Sequence, residues 1–165
     1  MGPETNSERH TSYEQFVVFF AADHAFGVNI HQTREIISGT ELTFMPNTPD
    51  FVSGVINLRG VIVPVIDLEK RLALKNEQDE ESEEEKKIII AEVKGNLIGM
   101  QVRDVREIIR INQDEIDDPP QITRDIDRDF VTGVGKMNDE LIIFLNLSRI
   151  LSADEVEELN ELEVD

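Results

Sequence analysis

Short runs of β-branched and aromatic residues, each closed off by Gly, Pro, Asn or Asp, set the rhythm of this chain. FVVFFA (16–21), GVNI (27–30), VIVPVI (61–66), KIIIAEV (87–93), LIGMQV (97–102) and LIIFLNL (141–147) are each four to seven residues long. Val, Ile and Phe suit a pleated, half-buried surface, and runs this short between turn residues read as strands. The pattern predicts an all-β protein of small barrels or a sandwich. The densest stretch is FVSGVINLRGVIVPVIDL (51–68), where Arg59 is the only cation and Asp67 the only acid. Arg59 stands on a tight Asn-Leu-Arg-Gly turn between two strands, which presents its charge at the surface.

The runs are organised as an internal repeat. GVNIHQTREII (27–37) aligns with GMQVRDVREII (99–109) at a shift of 72 residues, with five identities in eleven. Upstream, 16–27 matches 87–99 in apolar pattern; downstream, DFVSGV (50–55) aligns with DFVTGV (129–134) at a shift of 79. At that second shift IVPVIDLEKRL (62–72) meets LIIFLNLSRIL (141–151), and the seven extra residues fall within 110–128, around Pro119-Pro120. This predicts two similar β units, about 14–76 and 86–151, joined by an acidic linker at 77–85.

Helix signals are few and local. Thr48, Pro49 and Gly54 suggest a short helix with a cap, a first-turn proline and a glycine stop. Asp127 and Gly133 hold the matching places in the second unit. Asp67 and Asn146 are matching N-cap candidates for short helices at 68–74 and 147–151. Ser152 and Glu155 have capping-box spacing. Val156, Leu159 and Leu162 then give one short amphipathic helix, expected to dock on its own barrel.

Composition narrows the function classes. A chain of 165 residues suits one domain, or two small ones sharing a core, and it contains no cysteine, which excludes a disulfide framework and a thiolate site. The net charge of −19 is concentrated: residues 77–85 and 154–165 each hold seven acids, and removing those fourteen charges leaves −5. Such runs are solvated segments or exposed faces, and without a basic stripe nucleic acid is a poor partner. No apolar run reaches the roughly 18 residues of a membrane span, and the polar start lacks a signal-peptide core, pointing to a cytoplasmic protein.

Catalytic chemistry finds no carrier. There is no G-x-S-x-G elbow, Walker A loop or H-E-x-x-H motif. Gly133-Val134-Gly135-Lys136 is followed by Met137 where a phosphate loop needs Ser or Thr. Asp125, Asp127 and Asp129 alternate like a calcium loop, but Phe130 and Lys136 stand where that loop needs Gly and Glu. His10, His24 and His31 are too scattered for zinc. Binding remains: Arg is enriched at energetic interface positions, and Glu35, in R-E-I-I, is the acid expected to fix the Arg59 guanidinium by a two-pronged contact.

These residues resemble the CheW family of bacterial chemotaxis coupling proteins. The resemblance runs from about Gln15 to Leu151. It rests on F-G-V-N-I with R-E-I-I (26–37), the ungapped N-T-P-x-F-V-x-G-V-I-N-L-R-G-V-I-V-P-V-I-D-L (47–68), G-x-x-V-x-x-V-x-x-I (99–108) and F-V-T-G-V-G (130–135). It implies two five-stranded SH3-like β barrels packed together, and a non-enzymatic adaptor without cofactor or metal. That adaptor would join the cytoplasmic tip of methyl-accepting chemotaxis receptors to the regulatory domain of the histidine kinase CheA. Carried over by position, the receptor-contacting region would comprise Thr33, Glu35, Gly54, Asn57, Arg59, Gly99 and Val105, with the kinase on a separate apolar surface.

Three residues depart from the family pattern: Thr33 replaces an aliphatic residue, Arg103 stands where Asp is common, and Asn146 replaces a frequent Asp. The expected layout is a disordered tail (1–14), a CheW-like domain (15–151), and a C-terminal amphipathic helix with an acidic tail (152–165). The capped final helix suggests a stand-alone protein. Alternatives are a coupling module derived from a larger chemotaxis protein, or a barrel binding a small ligand or single-stranded nucleic acid. With one Tyr and no Trp, stacking platforms for bases are scarce.

Overall fold

A computed structural model describes residues 12–74, 86–119 and 128–161. The linker 77–85, Asp125, Asp127, His10 and Leu162 lie outside the described residues. Among the described residues there are ten strands: β1 (Tyr13–Ala21), β2 (His24–Asn29), β3 (Thr33–Ser38), β4 (Val52–Leu58), β5 (Val61–Asp67), β6 (Lys87–Val93), β7 (Asn96–Val102), β8 (Asp104–Asn112), β9 (Val131–Met137) and β10 (Glu140–Leu145). Three short helices follow strands or one another: α1 (Leu68–Arg71), α2 (Leu147–Ile150) and α3 (Ala153–Asn160). The fold is all-β, as the pattern predicts, with two packed five-stranded SH3-like barrels and a C-terminal helix.

The strand orders are β8-β1-β2-β10-β9 in barrel one and β3-β6-β7-β5-β4 in barrel two. Each barrel therefore draws strands from both repeat units. Exchanging every strand for its counterpart five places along the chain turns one order into the other, so the units are related by a pseudo-two-fold axis. The units meet at four strand pairs: β1–β8 and β3–β6 are antiparallel, while β2 runs parallel to β10 and β5 to β7. Gly27 lies opposite Phe144, and Gly99 opposite Val65, at equivalent points of those parallel pairs.

Burial explains why some runs are continuous and others alternate. On β1, Phe16 and Val18 fill the interior of barrel one, while Val17, Phe19 and Ala21 face a core shared by both barrels. On β6, Ile88 and Ile90 fill barrel two, while Ile89, Ala91 and Val93 face the shared core. A strand buried on both faces has no polar face to show, hence FVVFFA and KIIIA. β3 and β8 have partly exposed faces and read as R-E-I-I, too polar to stand out as strands by composition.

The caps hold, with adjusted lengths. Asp67 accepts from the Lys70 amide at 3.3 Å and Asn146 from the Ser148 amide at 3.0 Å. The first helix stops earlier than residue 74, because Ala73 takes a positive φ of 57°. Ser152 and Glu155 form the expected capping box, at 3.1 and 2.8 Å. Val156 and Leu159 bury against the shared core, so α3 docks on its own barrels. The helix expected at 48–54 does not form. β4 already pairs with β5 from Val52, and the Thr48 hydroxyl donates to the Met45 carbonyl (3.0 Å) within a turn.

Arg71 sits at the centre of the junction between barrels. Its Nε donates to the Ile150 carbonyl at 2.6 Å, Nη2 meets Glu155 at 3.0 Å, and its guanidinium carbon lies 4.7 and 5.2 Å from the Phe51 and Phe130 ring centroids. Ile150 is the repeat counterpart of Arg71, and Phe130 that of Phe51. A contact between a residue and its own counterpart can only lie close to the axis relating them. Arg71→Ala is expected to cost about 2–4 kcal/mol, from two partly buried charged hydrogen bonds and two cation–π contacts. Urea denaturation measures it, and a loss below about 1 kcal/mol would refute the central role.

Candidate functional site

Arg59 occupies the β4–β5 hairpin, where Leu58 pairs with Val61 and the two central residues are Arg59 and Gly60. The turn is thus centred one residue later than the Asn-Leu-Arg-Gly reading. Both central residues have positive φ, 53° and 89°, the pattern of a type I′ turn. Gly60 takes that conformation freely, but an L-residue there costs about 1–2 kcal/mol. The counterpart β9–β10 turn uses Asn138 and Asp139 at 52° and 67°; Asn and Asp tolerate this region well. Lys94 and Gly95 in the β6–β7 turn take the same conformation, 51° and 82°, so what sets Arg59 apart is its side-chain partner.

The guanidinium does not wave freely. Its Nη2 donates to Oε2 of Glu35 on β3, confirming the expected pairing, through one nitrogen and one oxygen rather than a two-pronged fork. Although β3 and β4 are the outer strands of barrel two, curvature brings their ends together. A bridge between Thr43 and Val55 completes the closure, with hydrogen bonds of 2.8 and 2.9 Å. The Arg59 side chain remains 69 % exposed and that of Glu35 31 %. Beside them Val61 and Ile62 are exposed apolar residues at the start of β5. The result is an oriented cation with spare donors on a partly apolar surface.

The other expected residues divide by role. The Asn57 carboxamide oxygen accepts from the Gly60 amide at 2.7 Å and so shapes the turn that aims Arg59. Thr33, on the same strand as Glu35, turns its hydroxyl back to the Ile30 carbonyl at 2.8 Å. Gly54 is buried with φ of 150°, and a Cβ there would lie 2.5 Å from the Thr43 carbonyl oxygen. It is the space through which the barrel closes. Gly99 is also buried, its missing Cβ 3.0 Å from both Val65 and Ile88. Val105 is the repeat counterpart of Thr33 and packs, partly buried, on the shared core from barrel one. Glu35, Asn57 and Arg59 therefore come together at one surface, Thr33 shares their strand, Gly54 and Gly99 lie beneath, and Val105 belongs to the other barrel.

Sequence reasoning did not find Glu69, whose Oε2 accepts both the Ala22 amide (2.5 Å) and Arg103 Nε (2.8 Å). It answers the unusual Arg103 charge, the one signal in the sequence that could have prompted a search for an acid. Among the described residues no group of three or more His, Asp or Glu side chains is placed to hold a metal. Nor, among them, is any helix long and apolar enough to cross a membrane.

Residues 15–155 match the CheW-like domain family. The chain belongs to that family. It is 34 % identical over 155 residues to the chemotaxis protein CheW of Rhizobium meliloti, covering 93 % of this chain and 98 % of that protein. It is 34 % identical over 143 residues to a probable chemotaxis protein CheW of Rhizobium etli, covering 87 % and 90 %. Among solved structures, the scaffolding protein TtCheW from Thermoanaerobacter tengcongensis superposes with a TM-score of 0.76 at 37 % identity, covering 86 % of this chain and 94 % of that one.

Two substitutions separate packing from presentation. Gly99→Ala is expected to cost about 1–3 kcal/mol by overpacking Val65 and Ile88, read by thermal or urea unfolding; an unchanged midpoint would contradict the burial. Arg59→Gly should leave stability unchanged or raise it by up to about 1 kcal/mol, since relief of the left-handed strain outweighs an exposed ion pair. A loss above about 1 kcal/mol would make the pair dominant.

Proposed function

We propose that this protein is a non-enzymatic chemotaxis scaffold that couples methyl-accepting receptors to the histidine kinase CheA in the cytoplasm. The receptor's cytoplasmic tip is received on the surface of Thr33, Glu35, Asn57 and Arg59, with Val105 from the other barrel. Gly54 and Gly99 serve that surface by packing beneath it. The kinase regulatory domain takes a separate apolar surface. One observation carries the reading: an arginine held in a strained turn and aimed by Glu35, beside exposed Val61 and Ile62. Membership of the CheW-like family supports it, as does likeness to a protein called a scaffold.

The physics is that of an interface anchor. Arg has five N–H donors, of which Glu35 engages one nitrogen, leaving the fork open to a carboxylate or carbonyl of the receptor. A partner's apolar side chains over Val61 and Ile62 would exclude water and raise the worth of that contact. Coupling then requires only that the receptor contact differ between signalling states by about 1–3 kcal/mol. Bond-making is unnecessary, since affinity and geometry suffice.

Arg59→Ala should retain the fold and binding to the kinase regulatory domain, while affinity for a receptor cytoplasmic fragment falls about tenfold, the loss of about 1.4 kcal/mol. Titration calorimetry and reconstituted kinase assays measure both. Receptor-dependent kinase activity that is normal in this variant would refute the assignment.

A further inference from the structure

The chain passes between barrels at only a few points among the described residues. One is the 3-10 turn Ile30–Gln32, between β2 of barrel one and β3 of barrel two. Another is the single residue Arg103, between β7 of barrel two and β8 of barrel one. These crossings are counterparts, since Arg103 aligns with His31 in the repeat.

Among the described residues, only the Arg103 crossing has its own side chain bonded to an acid across the junction. Glu69 lies on α1, directly after β5 of barrel two, and its Oε2 reaches across to two donors: the Ala22 amide in the β1–β2 turn of barrel one, at 2.5 Å, and Nε of Arg103, at 2.8 Å. The Arg103 amide in turn donates to the Phe20 carbonyl of β1 at 2.9 Å. Both charged side chains are largely withdrawn from water, 19 % and 12 % exposed. At the opposite junction the corresponding positions are Ser148, Lys94 and His31, so no acid stands where Glu69 does. Other ties are an exposed ion pair of Lys87 on β6 with Asp104 on β8 at 3.7 Å, a hydrogen bond from Asn160 of α3 to Asn96 of β7 at 2.7 Å, and Arg71 on Ile150, which joins a residue to its own counterpart and therefore sits at the pseudo-two-fold axis.

The mechanics differ accordingly. A tie on the axis holds the barrels together but resists rotation about that axis poorly, having no lever arm. A tie away from the axis resists rotation directly. We propose that Glu69 with Arg103 and the Ala22 amide is the lock that sets the angle between the barrels, with Arg71 as its pivot. Glu69 and Arg103 are then positioning residues: neither touches the partner, but they fix where Arg59 on barrel two stands relative to Val105 on barrel one. The last step rests on the receptor surface proposed above.

The absence of cysteine in the chain allows a direct test on the full-length protein. Ser38→Cys on β3 and Lys136→Cys on β9 are exposed positions, one on each barrel, for paired spin labels. The otherwise native protein should give one narrow distance distribution, and Arg103→Leu and Glu69→Gln should broaden it roughly twofold, as a second orientation becomes populated. Arg71→Ala should lower the unfolding midpoint without comparable broadening. Unchanged widths in both lock variants, or equal broadening in Arg71→Ala, would overturn the proposal. Should Arg103→Leu fail to fold, Glu69→Gln decides alone, because its amide oxygen can still accept from Ala22 while the charge pair is lost. Binding of a receptor cytoplasmic fragment to the same variants separates the two readings. Broadening with undiminished affinity supports the lock and counts against the receptor surface; lost affinity with unchanged width counts against the lock alone.

Discussion

Three strands, β1, β6 and β10, must be apolar on both faces at once, and the rest of the structure follows from that requirement. Each lines a barrel interior with alternate residues and gives the others to the shared core. Neither barrel is complete with the strands of one repeat unit, so the units exchange strands across a pseudo-two-fold axis. The exchange creates the parallel β2–β10 and β5–β7 contacts, where Gly27 leaves room for the Phe144 ring and Gly99 for Val65 and Ile88. Those glycines make room inside the barrels, Gly27 in barrel one and Gly99 in barrel two.

On this nearly symmetric frame the differences that bear on recognition and orientation are polar. The β4–β5 and β9–β10 turns share a backbone conformation, yet one carries Arg59 and the other Asn138. The helices after β5 and β10 are equivalent, yet one carries the lock acid Glu69 at its second residue where the other has Ser148. Packing can be duplicated without loss because it only needs shape and apolar surface. Recognition and orientation need charge at one place, and duplicating the charge would give the scaffold two equal faces. Arg59 makes the point energetically: a left-handed arginine costs about 1–2 kcal/mol, more than its exposed ion pair returns.

Much of this was legible in the chain. The strands with two buried faces announced themselves as unbroken apolar runs, the repeat could be aligned by eye, and the Asp67, Asn146 and Ser152 caps sat where residue type and spacing put them. Glu35 and Arg59 were matched as an acid and a base with a reason to meet. What misled was local: Thr48-Pro49 and Gly54 resemble the punctuation of a helix, whereas Gly54 is there to let the Thr43 carbonyl pass. Gly99, placed in the receptor region by the resemblance, is buried, its missing Cβ 3.0 Å from Val65 and Ile88.

By itself the sequence determined the strand periods, the Asp67, Asn146 and Ser152 caps, the duplication and the family, because each of these is written in spacings of a few residues or in direct likeness. Only the tertiary structure decided which unit's strands close which barrel. Both repeats carry the same R-E-I-I segment, so β1 and β6 could not be assigned to β8 and β3 from local pattern. Burial on both faces and closure of the barrels select that pairing, and with it the meeting of Glu35 with Arg59 and of Glu69 with Arg103.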